Sequence, residues 1–500
     1  MNIENVCVPD KLSSVFIIFG ATGDLTHRKL MSAFYNLVQD NLLPSSFVIL
    51  AIGRRDLSSE QYREQVLASI VKYSRNPVDK KIWQKLAEMI LYYKFDFKNL
   101  TEYATLQTYI KNIEKNSCTG GNRVFYLAVS PLYFETIIKG IQKGKLSDTC
   151  SGFCRCVIEK PFGKDLKTAT KLNESILKVF PEQNIYRIDH YLGKDMIQNI
   201  MVLRFTNSVF ESIWDNKHID NIQISLTEEL GIGSRANYYE RSGAMRDMFQ
   251  NHILQILSLV AMEPPANLNM NSIRNEKQKV LESIEDISPD FLKKNVVFGQ
   301  YDEGVVKGKK VLAYRQEENV NPLSETETFV ALKMHINNFR WAGVPFYIRT
   351  GKRLGKTSGK IVIQFKELPH ALYYKENRVQ QSNLLILHIQ PKVGVFFQFN
   401  TKDFMAHNDI VPAKMDTSSF IPAQGNTPEA YERLIYDILR GDASLFSRWD
   451  EVESAWTIAD RIIKYRERKK TNFPNYKAGS MGPKRAFDLI EKDGRTWINV

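Results

Sequence analysis

Val15-Phe16-Ile17-Ile18-Phe19-Gly20-Ala21-Thr22-Gly23-Asp24-Leu25 decides the fold. Its first five residues are apolar, β-branched or aromatic without a break, which predicts a strand buried on both faces, as in a parallel sheet. A glycine turn follows at once. From Arg28 to Gln39, the residues Leu30, Ala33, Phe34, Leu37 and Val38 recur at helical spacing. Strand, glycine turn and helix in that order present a helix N-terminus to a pyrophosphate. The spacing is Gly-x-x-Gly instead of G-x-G-x-x-G, and such turns also serve as plain connectors. The flanking strand and helix favour the nucleotide reading, with Gly20, Ala21, Thr22, Gly23, Asp24 and Leu25 as candidate cofactor-binding residues.

Working outward, Phe47 to Ile52 reads as the second strand. In NAD-specific proteins an acid near its end holds the ribose 2′-hydroxyl. Here the strand runs into Gly53-Arg54-Arg55, and a guanidinium fork suits a 2′-phosphate, so NADP is expected over NAD. The alternative is that Arg54 or Arg55 merely pairs with Asp56. Arg123 to Val129 is another buried strand, followed by a helix from about Tyr133. Cys156-Val157-Ile158 ends in Glu159-Lys160-Pro161-Phe162-Gly163, which puts Lys160 at the strand end where ligands bind, unless it is an ordinary surface lysine. Strand and helix signals alternate to about residue 190, which predicts a doubly wound sheet.

Arg187-Ile188-Asp189-His190-Tyr191-Leu192-Gly193-Lys194 breaks the pattern. It does not alternate as a half-buried strand does. Its residue types suit a grip on a small polyhydroxylated anion: His190 and Lys194 can donate to phosphate oxygens, Tyr191 can donate or accept, and Gly193 lets the backbone come close. A solvated turn is the competing reading. Asp195 to Phe205 then reads as a helix. Asn221 to Thr227 reads as an alternating strand with one buried face, ending at Glu228. Arg246 to Leu257 is helical, with an apolar stripe beside Asp247, Asn251 and His252. His252 is either a boundary histidine or a ligand or base. Alternating strands follow at Val311–Arg315, Phe329–Ile336, Pro345–Arg349, Ile361–Phe365, Leu384–Gln390 and Val395–Phe399, an antiparallel meander. Ala430–Asp442 and Leu445–Trp456 read as helices.

The chain has 500 residues, of which 43% are hydrophobic, and a formal net charge of +12. The length allows two to four domains by the usual size of about 100–200 residues each. No apolar stretch approaches the roughly 20 residues of a membrane span. Met1 to Asp10 lacks the basic start and apolar core of a secretory signal. Cys150, Cys154 and Cys156 cluster without completing a zinc set, so reduced thiols in the cytoplasm are expected. The positive charge attracts polyanions. The basic run Arg466 to Lys470 is interrupted by Glu467 and has no aromatic platform, so a solvated helix end is expected there and no nucleic-acid partner.

Several segments resemble one family. Arg187 to Lys194 is the signature of the glucose-6-phosphate dehydrogenases, Gly20 to Leu25 is similar to their fingerprint, and Arg246-Asp-x-x-Gln-Asn-His252 is another of their segments. The resemblance runs from about residue 15 to the C-terminus. It implies an α/β plus α+β protein: a Rossmann-like NADP-binding domain over residues 1–192, then a domain over 193–500 with a large, mostly antiparallel sheet and helices, used for catalysis and dimerisation. The implied reaction is oxidation of glucose 6-phosphate at C1 to 6-phospho-D-glucono-1,5-lactone, the opening of the oxidative pentose phosphate pathway, with hydride transfer to NADP and no metal. By the same resemblance His252 is the base and Asp189 its orienting partner. Lys160, His190, Tyr191, Lys194, Glu228, Asp247, Lys352 and Gln390 would meet the substrate, Lys160 and Arg54 the cofactor. A second substrate cation falls at Thr357, where Lys356 is the nearby substitute. Phe134 stands where the family often has tyrosine. Arg349 matches a second, structural NADP site of some members, but His388, Phe396 and Gln398 do not, and no second NADP is expected. A homodimer or homotetramer is implied, with no membrane partner. The rival readings are an NADP oxidoreductase for another phosphosugar or for glucose, an NADP-binding regulator without activity, and a nucleic-acid binder.

Overall fold

The computed structural model describes residues 10–148, 152–368, 382–403, 410–417, 428–469 and 471–499. Residues 1–9, Cys150 and Lys470, which entered the reading above, lie outside them. Two compact units form. The first gathers Met1–Gly193, Asn267–Arg274 and Asn426–Glu453; the second gathers Lys194–Ala266, Asn275–Gly425 and Ser454–Val500.

In the first unit the continuous apolar runs become β1 (Val15–Phe19), β2 (Val48–Gly53), β3 (Ile90–Lys94), β4 (Arg123–Leu127), β5 (Cys154–Ile158) and β6 (Ile185–Ile188). They pair in parallel in the order β3-β2-β1-β4-β5-β6, and Phe446–Ser447 adds an antiparallel edge beside β6. Every residue of β1 is buried. Phe16 and Ile18 pack with Leu37, Tyr62, Val66, Leu86, Leu434 and Ile435, on one side of the sheet. Val15, Ile17 and Phe19 pack with Leu106, Ile110, Ile137, Ile141 and Ile176 on the other. Two apolar layers on alternate residues are what an uninterrupted apolar strand demands.

Several expectations are corrected here. The first helix opens as a π-turn at Thr26–Leu30 before the α-helix Met31–Gln39. Arg187 and Ile188 are the last residues of β6, and Arg187 is buried, held by Glu182 at 2.6 Å and Asn173 at 2.5 Å, so it grips the fold and not a ligand. Phe446–Ser447 is a strand, and the next helix starts only at Trp449. Cys154 and Cys156 are free thiols, but Cys118 is disulfide-bonded, so the expectation of uniformly reduced cysteines fails there.

The second unit is built on an eight-stranded sheet: β7 (Ile219–Thr227), β8 (Val296–Gly299), β9 (Phe329–Met334), β10 (Phe346–Gly351), β11 (Ser358–Phe365), β12 (Leu384–Gln390), β13 (Gly394–Lys402) and β14 (Ile410–Asp416). Their order is β14-β13-β12-β11-β7-β10-β9-β8, antiparallel throughout except β7 with β10. The strand expected at Val311–Arg315 is instead a short hairpin arm, Lys309–Val311, followed by a 3₁₀ turn. Nor does β7 keep one wet face. Its polar residues Gln223, Ser225 and Thr227 are buried, and Gln223 bonds both Thr496 O and the Ile498 N–H of the C-terminal tail. The alternation in sequence marked a second face covered by chain with hydrogen bonds to satisfy. Among the described residues no helix is long and apolar enough to cross a membrane.

Candidate active site

The glycine turn sits at the carboxyl end of β1, between β2 and β4, where the strand order reverses and open α/β sheets take their ligands. Gly20 has φ +98°, and a Cβ there would strike the carbonyl oxygen of Ala128, so only glycine fits. The Gly20 and Ala21 N–H groups donate to Ile52 O at 3.1 and 2.9 Å, and Gly23 N–H to Gly20 O at 3.0 Å. Thr26 and Tyr62 close the turn from below through Gly20 O and Ala21 O, each at 3.0 Å. A tight Gly-dependent turn at the switch point fits a dinucleotide. Asp24 is exposed and pairs with Arg28 at 3.4 Å.

At the tip of β2, Arg54 and Arg55 are exposed. Asp56 pairs with Lys94 at 3.1 Å, and among the described residues neither arginine makes an ion pair. The Arg54 guanidinium lies 5.6 Å from the centre of the Phe97 ring. The tip therefore offers two cations to solvent, and the pairing with Asp56 that competed in the sequence is not made.

Lys160 lies two residues beyond the end of β5, at the same sheet edge. Its neighbour Glu159 accepts hydrogen bonds from Tyr126 at 2.6 Å and Tyr431 at 3.1 Å. Burial pushes the Glu159 carboxyl up to about 7. In the octapeptide, Asp189 is buried; its carboxylate takes the Tyr191 N–H at 3.0 Å and its carbonyl the Leu192 N–H at 2.9 Å, which turns the chain after β6. Tyr191 is buried too, its ring edge-on to His190 at 5.1 Å.

The second unit holds the other candidates, and it brings them together in pairs. Lys194 Nζ donates to Gln390 Oε1 at 2.6 Å, and Lys352 Nζ to Glu228 Oε2 at 2.6 Å. Lys352 also lies over the Tyr239 ring, 5.2 Å from its centre. Asp247 accepts from Tyr238 OH at 3.1 Å. Thr357 Oγ1 is taken by the Glu229 N–H at 3.1 Å, whereas Lys356 is exposed and lines a cavity of about 140 Å³ with Arg349 and Lys360. Burial brings Lys360 down to about 8 and Arg349 down to about 10.

Asp247 and His252 share a segment whose winding the sequence did not announce. Met245–Ile253 is a π-helix, continued by the α-helix Leu254–Ala261. Its i to i+5 hydrogen bonding makes a wider turn, so Asp247 and His252, five apart, are separated by about one turn of it. His252 is fully buried. Asn251 clasps the backbone on either side, donating to Arg246 O at 3.0 Å and accepting the His252 N–H at 2.7 Å. Sequence reasoning passed over Glu159, Tyr126 and Tyr431. A glutamate beside a lysine has no signature, and the tyrosines meet it only through the fold.

Two family models divide the chain: "Glucose-6-phosphate dehydrogenase, NAD binding domain" matches residues 17–199 and "Glucose-6-phosphate dehydrogenase, C-terminal domain" matches residues 201–498. A glucose-6-phosphate 1-dehydrogenase of Bacillus subtilis is 47% identical, with 97% of this chain and 98% of that protein aligned. That of Chlamydia pneumoniae is 43% identical over 99% and 97%. A solved glucose-6-phosphate dehydrogenase in complex with its substrate glucose 6-phosphate superposes with a TM-score of 0.89 at 32% identity, covering 97% of this chain and 99% of its own.

Proposed function

The chain belongs to the glucose-6-phosphate dehydrogenase family, and we propose that it oxidises glucose 6-phosphate at C1 to 6-phospho-D-glucono-1,5-lactone, the opening step of the oxidative pentose phosphate pathway, with NADP as its cofactor. The choice of NADP over NAD rests on Arg54 and Arg55, two exposed guanidiniums at the strand tip where an acid would serve NAD. Gly20, Ala21, Thr22, Gly23, Asp24 and Leu25 form the turn for the pyrophosphate. When bound, the nicotinamide takes the hydride and supplies the redox chemistry.

The chain's own residues bind, orient and deprotonate. His252 takes the proton of the C1 hydroxyl on a neutral ring nitrogen, the side chain best matched to that task near pH 7. Asp189 is its partner carboxylate in the reaction, holding the useful tautomer. His190, Tyr191, Lys194 and Lys160 hold the phosphate, and Gln390 keeps the Lys194 ammonium in place at 2.6 Å. Glu228, Asp247 and Lys352 meet the sugar. Lys356 serves as the second cation, since Thr357 is engaged by the backbone. The protein works in the cytoplasm as a homodimer or homotetramer, a reading supported by its family.

Changing His252 to alanine tests the chemistry. Loss of a general base costs about 10²–10⁴-fold in rate. H252A should lose that much kcat while equilibrium binding of glucose 6-phosphate stays close to wild type. Near-normal kcat would remove His252 from the mechanism.

A further inference from the structure

Glu159 immediately precedes Lys160 and is held by two tyrosines drawn from distant parts of the chain. Tyr126 comes from β4 and Tyr431 from the first turn of the helix Ala430–Arg440, and both hydroxyls donate to the same oxygen, Oε1. That first turn is itself pinned. Glu432 is buried and bonds Asn36 at 2.9 Å and Arg75 at 2.9 Å, and Lys29 reaches Glu429 at 2.7 Å. Its start also abuts the octapeptide, because a Cβ on Gly193 would sit 3.0 Å from the Cβ of Ala430. A carboxylate that accepts two hydrogen bonds from rigid donors has little freedom left, and the residue after it inherits that constraint. The charges facing Glu159 are the Lys160 ammonium and the Asp189 carboxylate, the two candidate site groups of this sheet edge.

We propose that Glu159 is a positioning residue: clamped by Tyr126 and Tyr431, its carboxylate anchors Lys160 for substrate binding. The inference rests on the reading of Lys160 as a substrate-binding lysine. Burial raises the Glu159 carboxyl and outweighs the two tyrosine hydrogen bonds and Lys160, which favour its charge; Asp189 opposes the charge too, and the acid loses its proton near neutrality, at about 7. The anchor therefore carries its full charge only on the alkaline side of neutral.

The test is steady-state kinetics of wild type, E159Q, Y431F and K160A from acid to alkaline pH, with thermal melting to confirm that each variant folds. Glutamine keeps an acceptor for both tyrosines but no charge. E159Q should raise KM for glucose 6-phosphate several-fold at alkaline pH with kcat little changed. The ratio of its KM to that of wild type should shrink towards one on the acid side, where both proteins lack the charge; taking the ratio cancels titration of the sugar phosphate. Y431F, which loses one clamp and a hydrogen bond that favours the charge, should raise KM on the alkaline side and approach wild type on the acid side, where the anchor is uncharged. A KM ratio that ignores pH, or wild-type KM in both E159Q and Y431F while K160A is impaired, overturns the inference alone. Wild-type KM in K160A overturns the reading of Lys160 and the inference with it.

Discussion

At the scale of single residues, candidate groups were easier to name from sequence than their contacts. Arg54 shows why: a strand running into Gly-Arg-Arg is a local pattern, readable without the fold. Losing a charge-assisted hydrogen bond costs on the order of 1.5–3 kcal/mol. R54A should therefore weaken NADP by about 10–150-fold at RT ≈ 0.59 kcal/mol, and NAD far less. Titrations with both cofactors measure this, and equal losses would move the assignment to Arg55. His190 and Lys194 make a second pair of predictions. H190A and K194A should raise KM for glucose 6-phosphate and leave KM for glucose nearly unchanged, because glucose never offered the phosphate. D189N should lower kcat with both sugars. Equal impairment of both sugars in H190A and K194A would contradict the phosphate site. The partners of these residues were not legible. That Lys352 meets Glu228 follows from strand register, and that Lys194 meets Gln390 follows from where the helix Asp195–Phe205 starts beside the sheet; no single segment encodes either.

At the scale of elements, type was readable where burial repeats in sequence, and failed where punctuation or winding did not. The runs that became β1, β2 and β4 are apolar on both faces and declare themselves. β3 (Ile90–Lys94) does not: it follows the helix Lys80–Met89 with no glycine, proline or asparagine between, and is only partly buried. The segment Met245–Ile253 reads as helix, yet period alone cannot separate a π-turn from an α-turn. What sets its start is Gly243, at φ +60° and ψ −178°, a backbone region open essentially to glycine. The Glu327 carboxylate occupies the space beside it, where a Cβ would collide, and accepts the Met245 N–H at 3.2 Å. Such a conformation costs about 1–3 kcal/mol for other residues. G243A should lower the denaturation free energy by at least that amount and reduce kcat, since the helix that starts there carries Asp247 and His252. Unchanged stability in a chemical denaturation curve would show that the kink is not required.

At the scale of the whole molecule, the sequence announced two kinds of architecture in the right order but not the return of the chain. Asn426–Glu453 rejoins the first unit, and nothing local in Ala430–Arg440 says which sheet it will cover. Its apolar stripe is visible; its address is set by Leu434 and Ile435 joining the apolar layer that holds Phe16 and Ile18. That helix also carries an acid in the wrong place for stability. Burial, and then Asp442, push Asp437 up to about 7 from an ordinary 3.8. The folded state thus holds a proton that the unfolded chain has given up, and stability from this group falls as pH rises from about 3.8 through about 7. D437N should raise the melting temperature at pH 8 and change it little at pH 3.5; an equal effect at both would exclude the linkage. All these assignments serve one activity, and the most direct test is the initial rate of reduced-cofactor formation by the wild-type protein. Glucose 6-phosphate with NADP should give rapid turnover, glucose should give far less, and NAD should need higher concentration. No reduction of either cofactor with glucose 6-phosphate, or a rate with glucose equal to that with its phosphate, would contradict the account.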